Sequence, residues 1–196
     1  MVAMSANIDL QSQMQGGVMG ALKRVVTQES LFVSSFTALH GPGELLLAPG
    51  APGDITALDL RNQQFFVQGS SWLASDPNLM VDTKWGGIKG LVGGTGLFLI
   101  SVSGSGTLFL SSFGAAHHKR LQPGERYVVD TGHIVAFEST TQYELRKASS
   151  AGWLRSFASG EGVVAEFVGP GDIFLQTRNL SAMADIPVSY THLRAH

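Results

Sequence analysis

An all-β domain built from three copies of one unit is the fold this sequence predicts, and three observations carry that expectation. A glycine-flanked step recurs as Gly41-Pro42-Gly43, Gly104-Ser105-Gly106 and Gly169-Pro170-Gly171, with starts 63 and 65 residues apart. Each lies between two short apolar runs. A second string, Phe66 to Ala74, aligns without a gap on Val128 to Ala136, an offset of 62. The composition agrees: 24 glycines, 44% apolar residues and only 14% charged residues in 196 suit a compact β protein rather than a disordered chain. A period near one third of the chain points to one triplicated domain, with units of about 1–74, 75–137 and 138–187.

Taken in order, Met1 to Met4 has the apolar character of a strand, Ser5-Ala6-Asn7 reads as a turn, and Ile8-Asp9-Leu10 resumes with period two. Val18 to Val26 fits a helical turn or a strand. The Gly41 to Gly53 segment, rich in proline and glycine around Glu44 to Leu47, reads as hairpin territory. Ile55 to Leu60, Phe65 to Val67 and Trp72 to Ala74 follow as short strands, with a polar turn at Gln68 to Ser71. In the best-flanked unit, Leu97 to Val102 and Thr107 to Phe113 are expected to pair as a hairpin across Gly104-Ser105-Gly106. Its run Leu97-Phe98-Leu99-Ile100 is apolar at consecutive positions, which predicts burial on both faces. The last unit repeats the arrangement with Val163 to Val168 and Asp172 to Thr177. Three such units closing about a pseudo-threefold axis would hide their strand edges.

The ends depart from this pattern. Val2-Ala3 matches only the tail of the element at Leu73-Ala74 and Val135-Ala136, so the first unit is expected to lack its opening strands. Val188 to His196 has no place in the repeat and reads as a non-native tail, which removes His192 and His196 from consideration.

Charge and composition exclude several classes. Thirteen Lys and Arg against fifteen Asp and Glu leave a net charge of −2, with no basic footprint for nucleic acid or an anionic membrane. No stretch approaches the roughly 20 apolar residues of a spanning helix, and no signal segment is recognisable, so the expectation is a soluble, cytoplasmic protein. Without cysteine there is no disulfide, thiolate metal site or cysteine nucleophile.

Few residues carry chemistry. Asp130 and His133 flank Thr131-Gly132, a spacing that suits an acid–base pair or, more plainly, an Asx turn with an oriented histidine. Gln176, Arg178 and Asn179 end the last strand with groups able to clasp a carboxylate, a phosphate or a neighbouring chain. His117-His118-Lys119-Arg120 reads as a solvated turn, since adjacent strand residues face opposite ways and cannot share one ion. Trp72, Trp85 and Trp153 read as core or unit-junction residues. No phosphate loop and no G-x-S-x-G elbow occurs, and no metal or cofactor is expected.

Six strings carry a resemblance: Ala48 to Ile55, Phe109 to Ala115, Val129 to Phe137, Gly160 to Gly162, Gly169 to Gly171 and Gln176 to Asn179. Together they are similar to the family named after the altered-inheritance-of-mitochondria protein 24, over nearly the whole chain. The resemblance implies a fold akin to the tryptophan RNA-binding attenuation protein, a double-stranded β-helix variant with three repeats. It implies no established reaction; prokaryotic members are mostly uncharacterised and eukaryotic ones are associated with mitochondrial inner-membrane organisation. No His-x-His pair of the metal-binding β-helix type is present. The resulting expectation is a non-enzymatic structural or interaction protein that forms a homo-oligomer or docks a protein partner. The alternative is a small-molecule binding module with its ligand in a groove between repeats.

Overall fold

The computed structural model describes residues 1–14, 32–82, 98–147 and 163–179. Among them the regular elements are strands and two three-residue 3-10 turns, Gly69–Ser71 and Thr131–His133. The strands are β1 (Ala3–Met4), β2 (Ile8–Met14), β3 (Phe32–Ala38), β4 (Leu45–Leu46), β5 (Ile55–Gln68), β6 (Trp72–Ser75) and β7 (Met80–Asp82). They continue as β8 (Leu99–Ser111), β9 (Ala116–Leu121), β10 (Arg126–Asp130), β11 (Ile134–Glu138), β12 (Gln142–Lys147), β13 (Val163–Val168) and β14 (Gly171–Gln176). All ladders are antiparallel, as expected for an all-β chain of this kind. One sheet runs β6-β8-β5-β11-β14-β9 with β7 also on β8; a second runs β10-β13-β12; β1 pairs β4 and β2 pairs β3.

The Gly-x-Gly steps are not hairpin turns. β8 passes unbroken through Gly104-Ser105-Gly106 and pairs with β5 from Gln68 opposite Leu99 to Ile55 opposite Ser111. The reason is a matched kink. Gly104 (φ +121°) and Gly106 (φ +152°) take backbone angles that side chains disfavour, and the facing Asn62 (φ +59°) adds a bulge between Arg61 and Gln63. The Asn62 N–H donates to Ser105 Oγ at 2.9 Å, so both strands bend together instead of reversing. A Cβ at Gly106 would stand 2.9 Å from Asp76 Cβ, which shows how closely the turn after β6 approaches. At the other two steps the flanking strands go to different partners: β3 to β2 but β4 to β1, and β13 to β10 and β12 but β14 to β11 and β9. There the glycines carry the chain from one sheet to another. The short strands expected within Ile55 to Val67 are likewise one 14-residue strand.

Burial on both faces holds where it was expected. Leu99 packs with Phe66, Phe137, Phe167 and Ile173, while its neighbour Ile100 packs with Phe65, Val67, Leu108 and Phe174. Strand alternation thus feeds two cores from one sheet. Phe137 anchors the second core, with ring centroids 4.8 Å from Tyr143, 5.1 Å from Phe167 and 5.4 Å from Phe66. The residues Val18 to Val26, Trp85, Trp153 and the tail from Val188 lie outside the described residues.

Candidate interaction site

The five polar residues singled out from the sequence meet at one joint. Asp130 ends β10, and its Oδ1 accepts the Gly132 N–H at 2.9 Å, closing the 3-10 turn before β11. That is the Asx arrangement, not an acid–base pair. His133 Nδ1 lies 2.7 Å from the Gln176 carbonyl; a carbonyl can only accept, so Nδ1 carries the proton. Gln176 returns the contact, donating Nε2–H to Gly132 O at 2.9 Å and accepting the Phe113 N–H at 3.0 Å. Asn179 packs on the same turn, where a Cβ at Gly132 would fall 2.1 Å from its Nδ2. Arg178 donates its backbone N–H to Phe113 O at 3.1 Å and lays an exposed guanidinium over the buried Phe113 ring, 5.8 Å from its centroid.

A second polar cluster was misread from the sequence. His117 to Arg120 is not a solvated turn but part of β9, and period two puts His118 and Arg120 on one face. Both close on Asp172 of β14, which is only 8% exposed. Arg120 donates Nε–H and Nη2–H to the two carboxylate oxygens at 2.8 Å each, and His118 Nε2 sits 2.8 Å from Oδ1. The imidazole also stacks on Phe174 at 4.6 Å and 11°. The Arg120 hydrogen bond, against the opposing cost of burial and with help from His118, holds the Asp172 carboxyl below its usual range. The bidentate pair raises Arg120 in turn. On the other sheet Glu166 is clamped alike, by Arg126 of β10 and by Arg146 of β12 at 2.8 Å, with Arg146 also held by Glu144. Alternating cations on β9 opposite an acidic residue just inside β14 were the available signal. Among the described residues no group of three or more His, Asp and Glu converges as a metal site would require.

A groove of about 870 Å³ lies between β3 and the β6–β7 segment. Val33, Phe36, Leu45, Trp72, Leu79 and Val81 are among its walls, and Asp76 is the one charged side chain that lines it among the described residues. The Trp72 Nε1–H is buried and finds no hydrogen-bond acceptor among the described residues. No helix among the described residues is long and apolar enough to cross a membrane.

These features sit in a chain with recognisable relatives. The family model described as mitochondrial biogenesis AIM24 matches residues 1–178. An uncharacterized protein of Streptococcus pyogenes serotype M6 is 33% identical over 193 residues, covering 94% of this chain and 76% of that protein. A Streptococcus pyogenes protein solved by X-ray crystallography superposes with a TM-score of 0.72 at 32% identity, over 93% of this chain and 82% of that one. Three matches of such breadth agree with the resemblance read from the six strings, and the chain belongs to the mitochondrial biogenesis AIM24 family.

Proposed function

We propose that the protein is a non-enzymatic interaction scaffold, a triplicated, pseudo-threefold β domain that presents the Arg178 face to a protein partner. One observation carries this reading. The Asp130, His133 and Gln176 side chains are hydrogen-bonded to backbone groups of the joint, while the Arg178 guanidinium is left exposed and propped on an aromatic ring. An exposed, aromatic-backed Arg is the side chain that interfaces favour, and its fork fits a partner carboxylate. Repetition supports the scaffold: the β6–β8 and β11–β14 ladders slip register at matching places, between Trp72 and Ala74 and between Ile134 and Ala136. The test is quantitative co-purification from a native host using wild type and R178E. Partners lost with R178E support the reading, and an identical partner set for both defeats it.

A second reading rests on the groove between β3 and β6, whose volume is that of a small-molecule site. Thermal-shift screening against amino acids and nucleotides decides it, since a ligand that binds the folded state must raise the melting temperature.

A further inference from the structure

We propose that Gly114 is the positioning residue of the Arg178 site, and that the group this site takes is the side-chain carboxylate of an Asp or Glu on the partner. The proposal rests on the Arg178 reading and names its ligand. Phe113-Gly114 follows β8 and Thr177-Arg178 follows β14, and the two ends run side by side. The Arg178 N–H donates to Phe113 O at 3.1 Å and the Thr177 N–H to Ala115 O at 3.0 Å, while Thr177 Oγ1 accepts the Ala115 N–H at 2.9 Å.

Gly114 is held between this pair of ends and the loop before β5. Its N–H donates to Pro52 O at 2.9 Å, its carbonyl accepts the Asp54 N–H at 3.0 Å, and Gly53 forms a parallel bridge with it. Its φ of +76° lies in the left-handed region. A Cβ at Gly114 would stand 2.6 Å from Thr177 Oγ1, 2.9 Å from Arg178 Cγ and 3.3 Å from Arg178 Cδ. The Arg178 stem therefore lies in the space that a side chain at 114 would take, and the Phe113 ring lies under the guanidinium. Stem and fork are both placed before any partner arrives, which reduces the ordering cost of binding. Among the described residues no carboxylate pairs with this fork, whereas Arg120, Arg126 and Arg146 each close on one.

The neighbouring donors decide what the fork takes. The N–H groups of residues 114 to 116 are occupied by Pro52 O, Thr177 Oγ1 and Asp54 Oδ2, and those of Thr177 and Arg178 by Ala115 O and Phe113 O. Sites for a phosphate or for a chain terminus draw on free backbone N–H groups or on several cations, and no such set converges at Arg178 among the described residues. The Asp54 carboxylate on the Ala116 N–H adds negative charge, which opposes a phosphate dianion more than a single carboxylate. One planar fork that is always charged matches a carboxylate in bidentate contact. With no nest for a terminus, the carboxylate is that of an Asp or Glu side chain.

Gly124 supplies the control, because it has the same φ of +76° and a Cβ there would meet nothing within 4 Å. G114A and G124A carry the same backbone strain, and only G114A displaces the Arg178 stem. The groups that the new methyl meets are exposed side chains that can swing aside, so G114A should keep the wild-type circular dichroism spectrum. In NMR spectra of wild type and G124A the Phe113 ring should shift the Arg178 side-chain signals, and in G114A they should return to the positions of a free arginine. Signals unmoved in G114A overturn the positioning role. F113L, which removes the ring and leaves Gly114 in place, should release the same signals.

Partner capture from the native host then reads the ligand. G114A should capture about two- to tenfold less than wild type, and G124A as much as wild type. R178K keeps the charge without the fork and should also lose capture. A photo-crosslinking residue in place of the exposed Ala115 marks the partner segment, and changing its Asp or Glu to Asn or Gln should reproduce the R178K loss. Capture that disappears after phosphatase treatment of the extract, or a crosslink to the partner's chain end, overturns the carboxylate assignment. Loss with R178E but full capture by G114A overturns the role of Gly114 and leaves the Arg178 reading standing. Capture untouched by R178E defeats that reading itself.

Discussion

The β2–β3 and β12–β13 ladders have nearly the same hydrogen bonding and opposite surroundings. The first pairs Ile8 with Ala38 through Met14 with Phe32; the second pairs Gln142 with Val168 through Lys147 with Val163. Yet Leu10 stands 42% exposed in the first, whereas Ala165 and Phe167 in the second are sealed into the Phe137 core. Backbone pairing exchanges water for protein partners at small net gain, whereas burial of apolar area supplies the larger driving force. The difference teaches that the ladder fixes register and the covering layer supplies stability.

The sharpest way to break that comparison is a matched truncation. Phe167→Ala, on β13, should cost about 3–5 kcal/mol of unfolding free energy, because the cavity opens between the Phe137 and Tyr143 rings. Phe36→Ala, on the partly buried β3, should cost well under half as much in the same denaturant titration. Equal losses would mean that the first ladder is as well covered as the last. Next in size is a pair of glycines in one loop. A Cβ at Gly53 would stand far inside contact distance of the Ser112 backbone oxygen, and at Gly50 it would meet nothing within 4 Å. Gly53→Ala is expected to cost about 1–3 kcal/mol by overpacking, while Gly50→Ala stays near neutral. Thermal melts of the two variants check this.

How much of this was legible follows from the same contrast. Period-two apolar patterning depends on local chemistry, so the strands around Phe65, Val129 and Val163 could be read directly. The two-faced burial of Leu99 and Ile100 was also readable from their adjacency. The partners of those strands were not, because a Gly-x-Gly step looks the same whether it reverses a chain, kinks one strand or passes it to another sheet. Only the bulge at Asn62, on a strand some forty residues away in sequence, decides for Gly104. The polar joint was half legible: Asp130 and Gln176 were chosen for their types, but their meeting depends on β11 pairing with β14. The Asp172 clamp was missed because His118 and Arg120 face one way only once β9 is known to be a strand.

The two 3-10 turns offer a smaller test. Asp130 caps Thr131–His133 through its side chain, while Gln68 before Gly69–Ser71 makes no such bond. Asp130→Ala should cost about 1 kcal/mol in chemical denaturation, the usual worth of a capping side chain, and Gln68→Ala clearly less. Similar costs would locate the stabilising contact elsewhere in the joint.

The smallest expected effect is a pH dependence at the Asp172 clamp. The folded-state affinity of Asp172 for protons is depressed, chiefly by Arg120. A depressed carboxyl adds stability that is present above its unfolded pKa of about 3.9 and is lost as pH falls through the folded value. Arg120→Met removes the main cause of the depression and keeps an unbranched aliphatic side chain at that place on β9. The variant should therefore lose stability at neutral pH, and its curve should converge on that of wild type once Asp172 is protonated in both. Urea titrations across pH 2.5 to 7 read this directly. Arg120 is mostly exposed, so added salt should shrink the neutral-pH difference. A loss independent of both pH and salt would mean that Arg120 acts through its aliphatic packing and that His118 alone sets the charge of Asp172.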